Sequence, residues 1–397
     1  MFKVALGHTS GMVNLINIPT EKFTTNILCV LLRRPLCRNE LTLNALIPPI
    51  LARGCVPYPS LRAIRLAAEN MQGAIFDAQV IKKGEWQLLQ FFLETADSGQ
   101  QAYEFLHKII TQPLFDADSF VSEAENLRHR INSRINNKSE YATLLCIEAM
   151  CQNEPFGLYG DGYAEDLPKL TVEDLRTHYE EIRGTSPIDV ITLGRWDEGL
   201  LRNIDLTDHK SKAPALPQLQ SARETRQIIE QDHGSAQGNL CIGLRSSKPF
   251  SIATQLANEI LGGGPNAKLF TNIREKESLC YAVYSTIYRF KSLMQIVAGT
   301  EPAQLSRVAE LSEAELVALQ RGNFTAEDLS SAKQSLAKRW RVMQDKPSAC
   351  VDFFASQHLL NDTSSLDDMI SQVENVSASQ VAEAASQLKI DTVVKLK

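Results

Sequence analysis

No stretch of this sequence approaches the roughly 20 consecutive apolar residues that a bilayer-spanning helix needs. The apolar runs are short, as at residues 27–32. The first residues carry a single early lysine, Lys3, and no sustained apolar segment, so neither a secretory signal nor a membrane partner is expected and the expected compartment is the cytoplasm. Positive charge is not in excess. The 41 basic side chains stand against 47 acidic ones, and the net charge of −6 argues against a general nucleic-acid binder. Cysteine occurs eight times but never as a CxxC pair, and Cys29 and Cys241 sit inside apolar patterns, where a reduced thiol behaves as a small core residue. At this size and spacing a disulfide framework is not expected. Histidine is scarce: seven are present, and none has the HxxxH or HxxEH spacing that sets two imidazoles on one helical face for zinc.

What the chain does contain is length, apolar content and a repeat. Its 397 residues suit about two domains, and 44% hydrophobic with 22% charged residues is the composition of a globular protein. Leu28, Cys29, Val30, Leu31, Leu32 and Arg33 are matched at an offset of 212 by Leu240, Cys241, Ile242, Gly243, Leu244 and Arg245. Both runs read as buried strands. A helical segment ending at glycine follows each, at 44–53 before Gly54 and at 252–261 before Gly262. A second central strand at 86–94 corresponds to 294–300, and an amphipathic helix through Ala102, Phe105, Leu106, Ile109 and Ile110 corresponds to one through Leu305, Val308 and Leu311. Residues 115–120 then match 324–329 at an offset of 209, with Leu127 and Arg130 opposite Leu336 and Arg339. Thr325 and Asp328 have capping-box spacing, residues 171–174 open a further helix, and 189–193 read as a closing strand.

Between the repeats, residues 197–223 carry Pro214 and Pro217 and no periodicity, and read as a linker on which a hinge is expected. The expected organisation is an N-terminal domain at 1–196, the linker, and a C-terminal domain at 224–397. The expected class is α+β, each domain a mixed, mostly antiparallel sheet with helices packed on one face.

Two further segments carry chemistry. In the first half a basic-glycine pair, Arg53 and Gly54, closes the first long helix. In the second half, residues 269–285 hold Arg274 and Tyr281 seven positions apart, preceded by Gly262, Gly263 and Gly264. The glycine run lacks the Gly-Lys-Ser/Thr ending of a phosphate loop, so nucleotide binding is not expected. Two homologous halves of this size and order, with these segments, resemble peptidase family M16 (pitrilysin/insulinase-like, M16B) from about residue 14 to residue 394. The resemblance implies two M16-type (LuxS/metallopeptidase-like) domains, the first carrying an inverted zinc motif, H-x-x-E-H.

Counted back from Arg53 and Gly54, the motif's two histidine positions hold Ala45 and Pro49, and its glutamate position holds Pro48. None of the three has a lone pair for zinc or for activating water. Two consecutive prolines also remove two amide donors, so the first helix is expected to be shortened or kinked around Pro48. Glu123 stands where the family places a third zinc ligand, and alone it is a vestigial ligand position, since catalytic zinc takes three protein ligands. Glu125 and His129 lie one helical turn apart, as solvated pairs commonly do. No metal is expected on this chain.

Arg274 and Tyr281 match the Arg and Tyr that the family's second half directs at a peptide in the active site, where guanidinium and phenol donate to carbonyl oxygen or a developing oxyanion. The glycine run resembles the family's segment beside the bound peptide. A purely structural role is the alternative, with Arg274 paired to a neighbouring glutamate and Tyr281 in a core. The whole pattern is similar to the zinc-less chain of a two-chain M16 peptidase of Gram-positive bacteria. It implies a non-catalytic subunit of a heteromeric metallopeptidase, with Zn2+ in an HxxEH-bearing partner, a peptide substrate, and a homodimer as an option for the isolated chain. The competing reading is a peptide-binding or assembly scaffold with no proteolytic role.

Overall fold

The computed structural model describes residues 5–8, 13–96, 99–206 and 219–397, with side chains described from Val13 onward. The chain divides into two compact units, neither continuous in sequence. One comprises Met1–Asn132, Leu158–Leu216 and Lys346–Thr363; the other comprises Ser133–Gly157, Pro217–Asp345 and Ser364–Lys397.

The first unit is built on a six-stranded sheet: β1 (Ala5–His8), β2 (Asn14–Pro19), β3 (Asn26–Pro35), β4 (Ile75–Lys83), β5 (Trp86–Thr95) and β6 (Ile188–Gly194), in the order β1-β2-β6-β3-β5-β4. Only β2 and β6 run parallel. The second unit has five strands: β7 (Gln227–Gln231), β8 (Gly238–Arg245), β9 (Cys280–Tyr288), β10 (Leu293–Thr300) and β11 (Lys389–Leu396), in the order β7-β11-β8-β10-β9. Here only β7 and β11 run parallel. Without β1 the two orders are identical, so the duplication holds at the level of topology as well as sequence. The class is the expected one: α+β, mixed and mostly antiparallel.

Strand β3 is apolar at successive positions because both of its faces are covered. Leu28, Val30 and Leu32 meet Leu89, Phe91 and Leu93 and the apolar stripes of the helices at Leu41–Leu51, Gln100–Thr111 and Val172–Thr185. Burying each such side chain stabilises the fold by about 1.5–3 kcal/mol. The expected capping box at Thr325 forms, and the helix opened at residues 171–174 has one too. Thr171 accepts from the Asp174 amide at 3.2 Å and Thr325 from the Asp328 amide at 3.0 Å, with each aspartate accepting in return.

Each sheet's opposite face carries one helix whose sequence lies in the other half. Helix Pro347–Leu359 packs on β3 and β6. It is held by Lys83, whose ammonium donates to Asp352 at 2.6 Å and to Ser356 at 2.8 Å. In the second unit, Cys146, Ile147 and Met150 of helix Lys138–Met150 form a cluster with Cys241, Leu293, Val297 and Val394. The continuous division at 1–196 and 224–397 is therefore corrected: 133–157 and 346–363 each sit with the other unit. These helices are amphiphilic only weakly, and nothing in their own sequences names the sheet they cover.

The linker is corrected too. Asp197 caps a short helix, Glu198–Arg202, by accepting from the Leu200 amide at 2.8 Å, and Leu201, Ile204 and Leu206 are buried in the first core. Pro214 and Pro217 lie outside the described residues. Among the described residues no helix is long and apolar enough to cross a membrane.

Gly243 on β8 marks where helix Lys138–Met150 comes closest, because a Cβ there would collide with the Met150 and Cys146 sulfurs. Gly243→Val should therefore destabilise the protein by about 1–3 kcal/mol through overpacking. Urea unfolding measures this, and an unchanged midpoint would show that the helix does not bear on β8.

Candidate functional site

The helix that should carry zinc is intact. It runs Leu41–Leu51 continuously through Pro48 and Pro49, so the expectation that it is shortened at Pro48 is corrected. Each proline withholds an N–H from a carbonyl one turn back, at a cost of about 3 kcal/mol in a helix interior. Packing offsets it: nine of the helix's eleven residues, Ala45 and Pro48 among them, are buried. The turn beyond the prolines closes normally, with the Ala52 amide donating to Pro48 O at 3.0 Å.

A polar network that sequence reading missed pins the start of this helix. Asn44 donates to Gln87 Oε1 at 2.8 Å, and Gln87 donates to the carbonyls of Leu41 at 3.0 Å and Gly160 at 2.7 Å. His178 Nε2 lies 2.8 Å from Asn44 Oδ1. All three side chains are buried, which satisfies their polar groups without water. The only sequence signal was an asparagine, a glutamine and a histidine on otherwise apolar faces.

The place where the resemblance puts a metal holds an ion pair. Pro49, Arg53 and Glu123 line one cavity of about 480 Å³ together with Leu61, Ile64 and Phe76. The Arg53 Nε donates to Glu123 Oε1, and its Nη2 donates to Ser122 Oγ at 2.8 Å. Asn126 reaches the second Glu123 oxygen at 3.3 Å. With Ala45, Pro48 and Pro49 offering no donors and Glu123 spoken for, these residues do not fit zinc. Among the described residues no group of three His, Cys, Asp or Glu side chains is placed to hold a metal. Glu125 and His129 meet at 2.7 Å, exposed to solvent.

In the second unit the glycine run is structural. The helix from Ile252 does not stop at Leu261 but continues as a wide turn over Glu259–Gly263. None of the three glycines has positive φ. Gly262 is required by closeness: a Cβ would lie 2.5 Å from the Ser285 nitrogen on β9. Ser285 Oγ in turn donates to the buried Asn258 Oδ1 at 2.8 Å. Beside it, the buried Glu259 carboxylate receives Arg339 at 2.7 Å and Ser335 at 3.1 Å. Helix and strand are thereby locked together, and that strand carries Tyr281.

Tyr281 sits at a β-bulge. Ala282 pairs with Gly299 and Cys280 with Thr300, so Tyr281 has no partner across the ladder. A bulge re-aims the side chain of its extra residue, and Tyr281 is 57% exposed. Arg274 lies on the wide helical segment Phe270–Lys276, exposed, with its guanidinium 5.0 Å from the Phe270 ring centroid. Neither side chain takes part in a hydrogen bond or ion pair among the described residues. Phe270, which holds the Arg274 side chain by a cation–π contact, was not singled out from sequence, although it lies one turn from Arg274.

Burial pushes the His178 imidazole below its ordinary pKa, so the folded protein keeps it neutral where the unfolded chain takes up a proton. Stability is then complete above about pH 6.5 and falls as pH drops below it, by up to about 1.4 kcal/mol per pH unit for one such group. His178→Gln should flatten part of this slope between pH 6.5 and 5 in urea titrations; an unchanged slope would deny the histidine that role. Because no donor set for zinc exists among the described residues, dialysis against EDTA should leave the Tm unchanged and zinc loading should give well under one equivalent by elemental analysis. One tightly held equivalent would overturn this reading of the site.

Comparison with known proteins matches this geometry. Residues 169–336 fit the family model described as "Peptidase M16 inactive domain". The chain is 25% identical over 403 residues to the "Probable inactive metalloprotease YmfF" of Bacillus subtilis (strain 168), covering 96% of this chain and 94% of that one. It is 21% identical to the "Uncharacterized zinc protease YmxG" of the same organism, over 72% of each chain. Among solved structures, a conserved protein from Enterococcus faecalis V583 superposes with a TM-score of 0.91 at 24% identity, covering 99% of this chain and 98% of that one. A peptidase M16 inactive domain from Pseudomonas fluorescens superposes at 0.85 and 19% identity, with the same coverage. Topology, the match over residues 169–336 and a relative aligned along nearly the whole length agree: this chain is similar to inactive M16 peptidase homologues, and Ala45, Pro48 and Pro49 stand at the counted positions of the zinc motif.

Proposed function

We propose that this chain is the non-catalytic subunit of a cytoplasmic, heteromeric M16 peptidase, offering Arg274 and Tyr281 to a peptide held at the active site of an HxxEH-bearing partner. The observation that carries the reading is a contrast within one chain. The first helix is folded but offers no zinc donor at the motif positions, while a guanidinium and a phenol in the other half stand exposed, with no hydrogen bond or ion pair among the described residues, on a locked helix–strand pair.

The metal and the general base belong to the partner. What this chain's residues do is bind and orient. A charged guanidinium and a phenolic O–H are donors suited to a peptide carbonyl and to the negative charge that builds on it. In the first unit, β4 is the edge of its sheet and borders the cavity beside Arg53. An edge strand with a neighbouring pocket is the usual seat of an extended peptide, so the lost metal does not remove the means of holding substrate.

Co-expression with an HxxEH-bearing homologue, followed by peptide hydrolysis by the purified pair, tests this. Arg274→Ala should lower kcat/KM by about 100-fold and Tyr281→Phe by about tenfold, the scale of losing one oxyanion donor, with partner binding unchanged. Full activity in both variants would remove the proposed roles. A chain that binds peptide but activates no partner would instead be a scaffold.

A further inference from the structure

The end of β8 repeats a feature of β3, but with a gap left in it. In the first unit Arg33 on β3 meets Asp189 on β6 at 3.0 Å. Asn14 at 2.7 Å and His358 at 3.2 Å engage the other Asp189 oxygen, so both oxygens of the buried acid face a donor or cation. Arg245 stands at the equivalent position of β8 and Asp391 at the start of β11, yet their closest approach is 3.9 Å. The reason is a bulge: Ile390 pairs with Leu244 and Thr392 with Gly243, leaving Asp391 unpaired in the ladder. Its oxygens are turned instead to the Arg223 amide at 3.0 Å and the Thr392 hydroxyl at 2.9 Å.

Arg245 is 2% exposed. Its Nη2 reaches Met150 O and Glu154 Oε1, both at 2.8 Å, while Nε and Nη1 make no hydrogen bond. Glu154 is shared with Lys291, fully buried, at 2.7 Å. Burial works to raise the Glu154 pKa, but the hydrogen bonds from Lys291 and Arg245 outweigh it and hold the group ionised. Three cations, Arg223, Arg245 and Lys291, thus face two carboxylates, Glu154 and Asp391. A buried guanidinium with idle donors in a cluster carrying one surplus positive charge is costly unless an anion completes it.

There is room for one. A cavity of about 300 Å³ is lined by Arg223, Arg245, Gln152, Asn153, Gln220 and Ser221, with the two carboxylates on its wall. The four uncharged side chains make no hydrogen bonds among the described residues. Arg223 adds positive charge, its Nη1 and Nη2 donating to Gln227 Oε1 and to Ala149 O; amide and hydroxyl donors beside that charge and the idle Arg245 N–H groups are the chemistry that recognises an oxyanion.

We infer that this cavity is a binding site for a small oxyanion, a carboxylate or a phosphate group, independent of the residues assigned to peptide handling. Equilibrium dialysis of the full chain against radiolabelled inorganic phosphate and, separately, acetate, at constant ionic strength in chloride, decides it. One saturable equivalent of at least one anion is expected, phosphate alone pointing to a phosphorylated ligand and acetate to a carboxylate. Arg223→Gln should weaken that binding about tenfold or more, as losing a charge-assisted hydrogen bond does, with an unchanged circular-dichroism spectrum. Because Arg245→Gln strikes a buried ion pair and threatens folding, the half-exposed Arg223 and a second variant, Ser221→Val, carry the test. Saturable binding of neither anion, or binding undiminished in both variants, overturns the site.

Discussion

A central strand that is apolar on both faces must be covered on both, and that requirement organises this molecule. Strands β3 and β8 are buried along nearly their whole length. A one-sided helical layer would leave half of each in water, at about 25 cal/mol for every square ångström of apolar surface. The chain meets the need by sending one helix from each half to the opposite face of the other half's sheet. The glycine at position 243, the Lys83 tether and the paired arginine–aspartate joints at the strand ends are all local adjustments to that layer.

The first helix shows what packing alone asks of a buried helix. Imidazoles and a carboxylate on a buried helix are expensive unless a metal neutralises them. Here their places hold alanine and proline, which ask nothing of their surroundings but contact. Glu123 is a half-buried acid, and Arg53 supplies its counter-ion. In the second half the economy is reversed. Gly262, Ser285, Asn258 and the Glu259–Arg339 pair fix a frame in place, while the two residues it displays, Arg274 and Tyr281, are left in solvent. Exposed side chains held by a rigid frame are an unrewarding arrangement for stability alone, which is why the functional reading attaches to them.

Much of the fold was legible because a repeat at constant offset carries topology with it: once Leu28 to Arg33 was matched with Leu240 to Arg245, the strand orders had to agree. The absence of the zinc motif was legible because it depends on residue identity at counted positions. Three things were not. Pro48 and Pro49 suggested a broken helix because propensity is local and the compensating burial is not. The exchange of helices Lys138–Met150 and Pro347–Leu359 leaves no trace in their own patterns, since a helix apolar on several sides fits either sheet. The bulges at Tyr281 and Asp391 are differences of one residue between partner strands, visible only once the pairing is known.

The helix exchange also bears on the order in which the molecule becomes whole. A ribosome delivers the strands of the first sheet by residue 194, but the helix that seals their second face ends at residue 359. Until that late segment emerges, the apolar row on β3 and β6 has no native cover. Synthesis therefore passes through a long interval in which the first-made half is assembled but unsealed, and the two halves reach completion together rather than in turn.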